Sequence, residues 1–429
     1  MSHKGFDNYT AVNNALEGFL SSYLKNGSFT PKKERVNLQD AVNRVLAEDF
    51  ASPIDIPPFT RSAMDGYAVI ASDLKGASPK NPVTLEVVGR AYAGDAAEFK
   101  IGRSQAVAVA TGSRVPQGAD AVVMVEYTAE DQEANRVKVF KEIDCGKNVA
   151  NKGEDIGKDK VILGRGTWLR PQDVGVIASV GVKTVKVYQK PKVAVFSTGS
   201  ELVEPGSELK TEAVLYDSNR YMLSSMIREF GGETVDLGIC KDDQSHILAA
   251  LKKALENDVV VISGGSSVGE RDFVPAVINS LGKPGVIVHG VAMRPGSPTA
   301  LSIVEGKPII SAPGYPVASF LAFYTFGRPL LFRMLGTKGL PEAKVAAKMA
   351  SGIKLQKGMR AFIRVKLKTV TDKKGTVSYL AEPVSASAAS KLSTLTVSDA
   401  LIIMEGKKQL IKGQKVEVLL LRPTGDTAP

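Results

Sequence analysis

The run Val259-Val260-Val261-Ile262-Ser263-Gly264-Gly265-Ser266-Ser267-Val268-Gly269-Glu270-Arg271-Asp272 concentrates the groups best suited to act on an anion. Four apolar residues read as a buried strand, and the Gly/Ser loop behind them leads into an amphipathic segment from about Glu270. A strand feeding such a loop at a helix N-terminus presents free backbone N–H groups and the positive end of the helix dipole. That arrangement suits a phosphate or another oxyanion. Asp272 adds a carboxylate beside the anion, where a divalent cation or an activated water can sit. The pattern is neither a Walker loop nor a Gly-x-Gly-x-x-Gly fingerprint, so it implies neither of those nucleotide folds.

Four further loops share this chemistry: Ser197-Thr198-Gly199-Ser200-Glu201, Asp217-Ser218-Asn219, Arg294-Pro295-Gly296-Ser297-Pro298 and Ala312-Pro313-Gly314-Tyr315-Pro316. Their glycines allow close backbone approach, their hydroxyls and amides donate to oxyanions, and Arg294 can fork onto a phosphate. Each alone reads equally well as a turn; their clustering in one segment argues for a site. Earlier in the chain stand Ser62-Ala63-Met64-Asp65-Gly66-Tyr67-Ala68, Thr111-Gly112 and Gly153-Glu154-Asp155. By itself Asp65-Gly66 is a turn signal and Asp155 an exposed loop acid. Gly265-Ser266-Ser267-Val268-Gly269 also fits the Gly-x-Ser-x-Gly nucleophile elbow, with Ser267 as nucleophile. Only His289 follows it, about one βα unit later, which is early for a hydrolase histidine; inertness to a fluorophosphonate probe would dispose of that reading. His246 and His289 lack paired metal spacing and read as packing residues.

The elements that must position these loops follow from the hydrophobic pattern. From Lys192 the rhythm is strand, loop, helix: Val193–Phe196, a helix through Tyr221 to Phe230, Thr234–Ile239, Gln244–Leu255 and Val259–Ile262. This predicts a doubly wound parallel sheet whose ligand crevice lies at the carboxyl ends of the strands, where the loops fall. Residues 1–50 read as helical, with apolar periods through Ala15-Leu16-Phe19-Leu20-Tyr23 and Leu38-Ala41-Val42-Val45-Leu46. Short alternating strands occupy about 66–147, a Gly/Lys-rich loop and a helix from Pro171 to Val180 follow, and alternation returns after Pro341 as a compact β-barrel or sandwich. The predicted regions are an N-terminal helical and linker domain (1–53 with 148–188), a β-rich domain (54–147), the α/β domain (189–337) and a C-terminal β domain (338–429).

Composition narrows the class. The chain has 429 residues, 44% hydrophobic and 23% charged, as in soluble multidomain proteins. No signal peptide is visible, and the longest apolar run, Val317 to Leu335, is interrupted by Gly327, Arg328 and Pro329. Cys145 and Cys240 form neither a disulfide framework nor a metal-ligand spacing, so a reducing cytoplasm is expected. From Thr337 onward there are 17 Lys+Arg against 7 Asp+Glu, so the whole net charge of +10 lies in the last domain. With few aromatics and no nucleic-acid motif, that charge reads as a solvated basic surface that can draw in an anionic substrate.

Taken together, these motifs resemble the molybdopterin molybdenumtransferases, relatives of the gephyrin C-terminal domain. The resemblance runs over essentially the whole chain through Pro57-Pro58-Phe59, Ser62 to Ala68, Gly153-Glu154-Asp155-Ile156, Ser197-Thr198-Gly199, Asp217-Ser218-Asn219, Ser263 to Asp272 and Pro313-Gly314. It implies a homodimer of four-domain subunits that inserts molybdate into adenylylated molybdopterin and releases AMP. Ser263 to Gly269 would cradle phosphate and Asp272 would bind Mg²⁺. Asp217 to Asn219, with Ser197 to Glu201, would hold the pterin nucleotide. Asp65 and Asp155 would reach in from the neighbouring subunit, and Thr111, Pro313, Gly314 and Tyr315 complete the implied binding set. Implied partners are the adenylylating enzyme and recipient molybdoenzymes; nucleic acid and membrane are not expected. The chain departs from the family where Lys-Pro-Gly-Lys-Pro is usual: it has Arg294 and Ser297, with Tyr315 in place of Asn. Arg keeps a charge and Ser297 removes one. That leaves tungstate as an alternative oxyanion, and a non-catalytic molybdopterin- or oxyanion-binding scaffold as an alternative role. The extra domains at both ends argue against the adenylylating enzyme of the same pathway.

Overall fold

The computed structural model describes residues 9–26, 31–95, 98–209, 211–265, 273–371, 375, 377–385 and 388–422. Ser266, Ser267, Gly269 and Asp272 lie outside the described residues. The chain divides into two compact units, one of Val36–Val42 with Glu48–Val185, the other of Met1–Arg35, Asn43–Ala47 and Lys186–Pro429.

The larger unit contains the α/β layer. Its elements are β1 (Lys192–Thr198), α1 (Asn219–Glu229), β2 (Glu233–Cys240), α2 (Gln244–Ala254), β3 (Val259–Ser263), α3 (Val274–Leu281), β4 (Pro284–His289), β5 (Ala300–Val304), β6 (Lys307–Ala312) and α4 (Pro316–Ala322). The strand order is β2-β1-β3-β6-β5-β4. β1 is parallel to β2 and β3, and β3 is parallel to β6. Every residue of β3 is buried, as expected of a strand covered by helices on both faces. Ala194, Phe196, Val260, Ile262, Ile247, Leu251, Val277 and Ile278 form the core between this sheet and the α2–α3 face.

The wholly parallel expectation is corrected at one edge, where β5 pairs antiparallel with both β6 and β4. The cause is local. Glu305 (φ 48°) and Gly306 (φ 78°) both adopt left-handed backbone, the conformation of a tight two-residue hairpin turn, so the chain reverses without a crossover helix.

A second helix through 38–46 is also not found. Helix Val12–Asn26 forms as expected, but Lys33–Asn37 is a strand and only Leu38–Asp40 makes a 3₁₀ turn. Asn43 at φ 63° breaks any helical continuation, although Ala41, Val45 and Leu46 are buried as their spacing implied. The apolar run from Val317 stays helical through Gly327: a π turn, Phe323–Gly327, joins α4 to helix Arg328–Met334 and accommodates Pro329. No helix among the described residues is long and apolar enough to cross a membrane.

The C-terminal region is a closed barrel. Strands Arg360–Thr371, Val377–Ser385, Lys344–Met349, Lys415–Leu420 and Ala400–Met404 follow one another, and the last pairs back onto the first. Ile363, Val365, Ala381, Ile402 and Val418 fill it. The short strand Met293–Arg294 pairs with Arg360–Ala361, so the loop carrying Arg294 is sewn onto the barrel.

The smaller unit is built on a six-stranded sheet in the order Ala121–Met124, Gly66–Val69, Gln105–Val109, Val83–Ala91, Arg136–Val139, Thr128–Asp131. Asp65-Gly66 is therefore not a hairpin turn but the entry to an interior strand. A Cβ on Gly66 would stand 1.9 Å from the Val123 carbonyl oxygen, so only glycine fits there.

Candidate active site

β1 leads by way of α1 to β2 on one side of it, whereas β3 lies on the other side. The sheet thus has a topological switch point between β1 and β3, the place where open α/β sheets of this kind bind ligands at the carboxyl ends of their strands. Ser197 pairs in register with Ser263, and Ser263 with Ala312, so the loops after β1, β3 and β6 emerge side by side.

Backbone geometry shapes the loop after β3. Gly264 (φ 97°) and Gly265 (φ 58°) turn it sharply, and a Cβ on Gly264 would meet the Thr198 carbonyl oxygen at 2.4 Å. The Gly264 N–H donates to Ala312 O at 3.0 Å. Beside these glycines the Thr198 hydroxyl is buried and has no hydrogen-bond partner among the described residues. A buried hydroxyl without a partner costs stability, and a ligand that bonded it would recover that cost. Across the crevice the Glu201 carboxylate folds over Gly199, 2.9 Å from where a Cβ would stand.

Asp217, Ser218 and Asn219 have different tasks. Asp217 is 1% exposed, and its carboxylate accepts from Ser197 Oγ (3.0 Å), the Arg220 N–H (3.1 Å) and Arg220 Nε (2.9 Å). Burial alone would lower the pKa of Arg220, but Asp236, Asp217 and Glu204 around it raise it, so it is a locked cation. Asp217 thus fastens α1 to β1. Ser218 is half-buried at the start of α1, and its hydroxyl makes no capping bond. Asn219 donates through Nδ2 to Ser263 Oγ (2.8 Å) and Gly314 O (2.7 Å), clamping the loops after β3 and β6 together. Its Oδ1 is buried without a partner among the described residues. Beyond Pro313-Gly314, Tyr315 is 61% exposed at the mouth of the loop.

The Arg294 loop is a compact turn. Val291 N–H donates to Ser297 O (2.9 Å), and the Thr299 N–H and Oγ1 both donate to Gly296 O. Ser297 is half-buried, while Arg294 is exposed, makes no ion pair among the described residues and donates through Nη1 to Gln356 Oε1. A buried cation on the barrel was not legible in the sequence. Arg364, on the first barrel strand, is completely buried, yet among the described residues its Nε and Nη1 have no partner and Nη2 donates only to Ala388 O at 3.2 Å. Burial lowers its pKa to about 10, still leaving it charged at neutral pH. The adjoining Ala389 carbonyl accepts from Val317 N at the start of α4, just beyond Tyr315. The only sequence signal was an arginine inside the otherwise apolar run Ala361 to Val365.

In the smaller unit Asp65 and Thr111 meet although they are 46 residues apart in sequence: Thr111 donates to Asp65 Oδ1 from its N–H (2.7 Å) and its hydroxyl (3.0 Å). The backbone bond from Thr111, then its hydroxyl, holds the exposed Asp65 carboxyl below the usual range. Asp155 is exposed and tied only through its backbone, N–H to Ile56 O at 3.0 Å. Gly153 beside it turns at φ 71° against Asp55.

Comparison with known proteins agrees with this geometry. The chain matches the MoeA N-terminal region (domain I and II) over residues 10–181, a molybdopterin binding domain over 194–333 and the MoeA C-terminal region (domain IV) over 346–421. It is 33% identical over 393 residues to the molybdopterin molybdenumtransferase of Bacillus subtilis, covering 91% of this chain and 90% of that one. It is 37% identical over 325 residues to the Haemophilus influenzae molybdopterin molybdenumtransferase, covering 75% and 78%. The crystal structure of the molybdopterin biosynthesis moeA protein from Pyrococcus horikoshii OT3 superposes with a TM-score of 0.80 at 33% identity, covering 96% of this chain and all of that one. The α/β layer, the closed C-terminal barrel and this end-to-end similarity place the chain in the molybdopterin molybdenumtransferase family.

Proposed function

We propose that the enzyme transfers molybdate to adenylylated molybdopterin, cleaving the phosphoanhydride and releasing AMP. The observation that carries this reading is the buried Thr198 hydroxyl beside the Gly264–Gly265 turn, which has no partner among the described residues and suits a phosphate oxygen. Ser263, the Gly/Ser loop through Ser266, Ser267 and Gly269, and Ser197 to Glu201 line the pterin-nucleotide site in this reading. Asp217 acts through position rather than contact, while Asn219 Oδ1 and the Ser218 hydroxyl stay free to meet the ligand.

Magnesium fits this donor chemistry, because that ion is commonly held by one or two carboxylates together with substrate phosphates. Among the described residues no group of three or more His, Cys, Asp or Glu side chains could hold a metal ion; in this reading Asp272 and the phosphate oxygens would hold it. When bound it neutralises anhydride charge. The chain's own groups then bind and orient: backbone donors hold the phosphate oxygens, and the exposed Arg294 supplies charge for the incoming oxyanion. In this reading the enzyme is a cytoplasmic homodimer, with Asp65 of the partner subunit and Asp155 of the partner subunit completing each site. Its protein partners are the adenylylating enzyme and recipient molybdoenzymes.

Tungstate is the alternative oxyanion of this reading, because Ser297 stands where a second cation is usual in the family. Asp272→Ala separates an enzyme from a scaffold. In an enzyme it abolishes AMP release while adenylylated molybdopterin still binds; AMP release that survives the substitution refutes the assignment.

A further inference from the structure

The established family activity leaves open what sets oxyanion affinity in a chain with one cation fewer. We infer that Gln356, on the barrel rim, is a positioning residue that holds Arg294 while leaving its charge uncompensated. The inference rests on the reading that Arg294 meets the oxyanion.

The backbone around Arg294 is fixed from two sides. Arg360 N–H donates to Ala292 O at 2.8 Å, and the Arg360 side chain bonds Asn13 Oδ1 (3.0 Å) and Glu405 Oε2 (2.7 Å). Ala292 N–H in turn donates to Thr10 O at 2.8 Å. With the backbone held, the guanidinium is the remaining freedom, and Nη1 is taken by the neutral Gln356 Oε1. A planar fork can be held by one arm and still offer the other to a ligand; a lysine ammonium lacks that geometry. A carboxylate at position 356 would anchor as well but cancel the charge. Lys354 and Lys357 flank Gln356, and Lys408 is tied to the same segment through Leu355 N–H at 2.8 Å. None of the three makes an ion pair among the described residues. The rim is therefore a cationic approach with a neutral hydrogen-bond anchor at its end.

The test is Gln356→Glu, nearly equal in shape and different in charge. The full-length protein would be assayed for molybdate-dependent AMP release and, without turnover, for molybdate binding by calorimetry. The KM and Kd for molybdate should each rise about tenfold, with kcat at saturating molybdate within about twofold and pterin-nucleotide affinity unchanged. In an Arg294→Ala background the same substitution should change molybdate Kd by less than about twofold, because its partner is gone. An unchanged Kd for molybdate in Gln356→Glu, with its melting temperature preserved, overturns the inference while leaving the transferase reading intact. An equal loss in the Arg294→Ala background also overturns it, since simple rim repulsion would then explain the effect. Absence of molybdate-dependent AMP release by the unaltered protein refutes the transferase reading instead, and the calorimetric comparison still decides the role of Gln356.

Discussion

Asp217→Ala is the substitution on which structural and ligand roles part most clearly. The carboxylate is 1% exposed and joins Ser197, the Arg220 N–H and Arg220 Nε. Removing one partner of a buried ion pair costs about 3–5 kcal/mol, because the remaining charge is left uncompensated. Arg220 keeps Asp236 and Glu204, whose side chains are 46% and 48% exposed, so solvent and those acids absorb part of the loss. The low end, about 3 kcal/mol, is therefore expected. At roughly 3 °C per kcal/mol for a domain of this size, the melting temperature should fall by about 9 °C. Calorimetric or circular-dichroism melts of the ligand-free protein measure this directly. If Asp217→Ala melted within 2 °C of the unaltered protein and nevertheless lost nucleotide binding, Asp217 would be a ligand and the positioning argument would be wrong.

Three further outcomes follow from the same geometry. Thr198→Val removes a buried hydroxyl that has no partner among the described residues, so the ligand-free protein should gain about 1 kcal/mol while adenylylated molybdopterin binds about tenfold more weakly; paired melting and binding curves check this. Gly264→Ala places a Cβ 2.4 Å from Thr198 O at φ 97°, which should cost about 1–3 kcal/mol from backbone strain alone and reduce AMP release at least tenfold, read by melting and turnover. The Asp243 carboxylate caps α2, and bonds from the His246 N–H and the Ser245 hydroxyl lower its pKa to about 2. Because the folded value is depressed, its contribution is complete above the unfolded pKa near ~4 and is lost as pH falls toward about 2. Asn caps equally well without titrating, so the stability difference between the native protein and Asp243→Asn should shrink over that window in urea titrations at successive pH values.

The strands and helices of the α/β layer were legible because burial on both faces writes continuous apolar runs such as Val259–Ile262, and helices write a 3.6-residue period. Strand direction is not written that way. The antiparallel edge depended on two residues, Glu305 and Gly306, whose turn signal is short and local. The misread helix at 38–46 had the right apolar spacing, but Asn43 turned the backbone, and burial there is satisfied without a helix. Within the site, the loops were legible from their glycines and hydroxyls, whereas the direction of a carboxylate was not. Asp217 and Asp65 look alike in sequence, yet one is consumed by the fold and the other is exposed beside Thr111. Arg364 was hidden among the 17 basic residues of a segment whose charge reads as surface; only its place in the closed barrel makes it a buried cation.

The central claim is tested most directly by incubating the purified protein with adenylylated molybdopterin, Mg²⁺ and either molybdate or tungstate, and following AMP. AMP release should depend on the oxyanion, with the more effective of the two identifying the metal. Tight binding of the adenylylated pterin without AMP release for either oxyanion would contradict it and make the chain a carrier or scaffold.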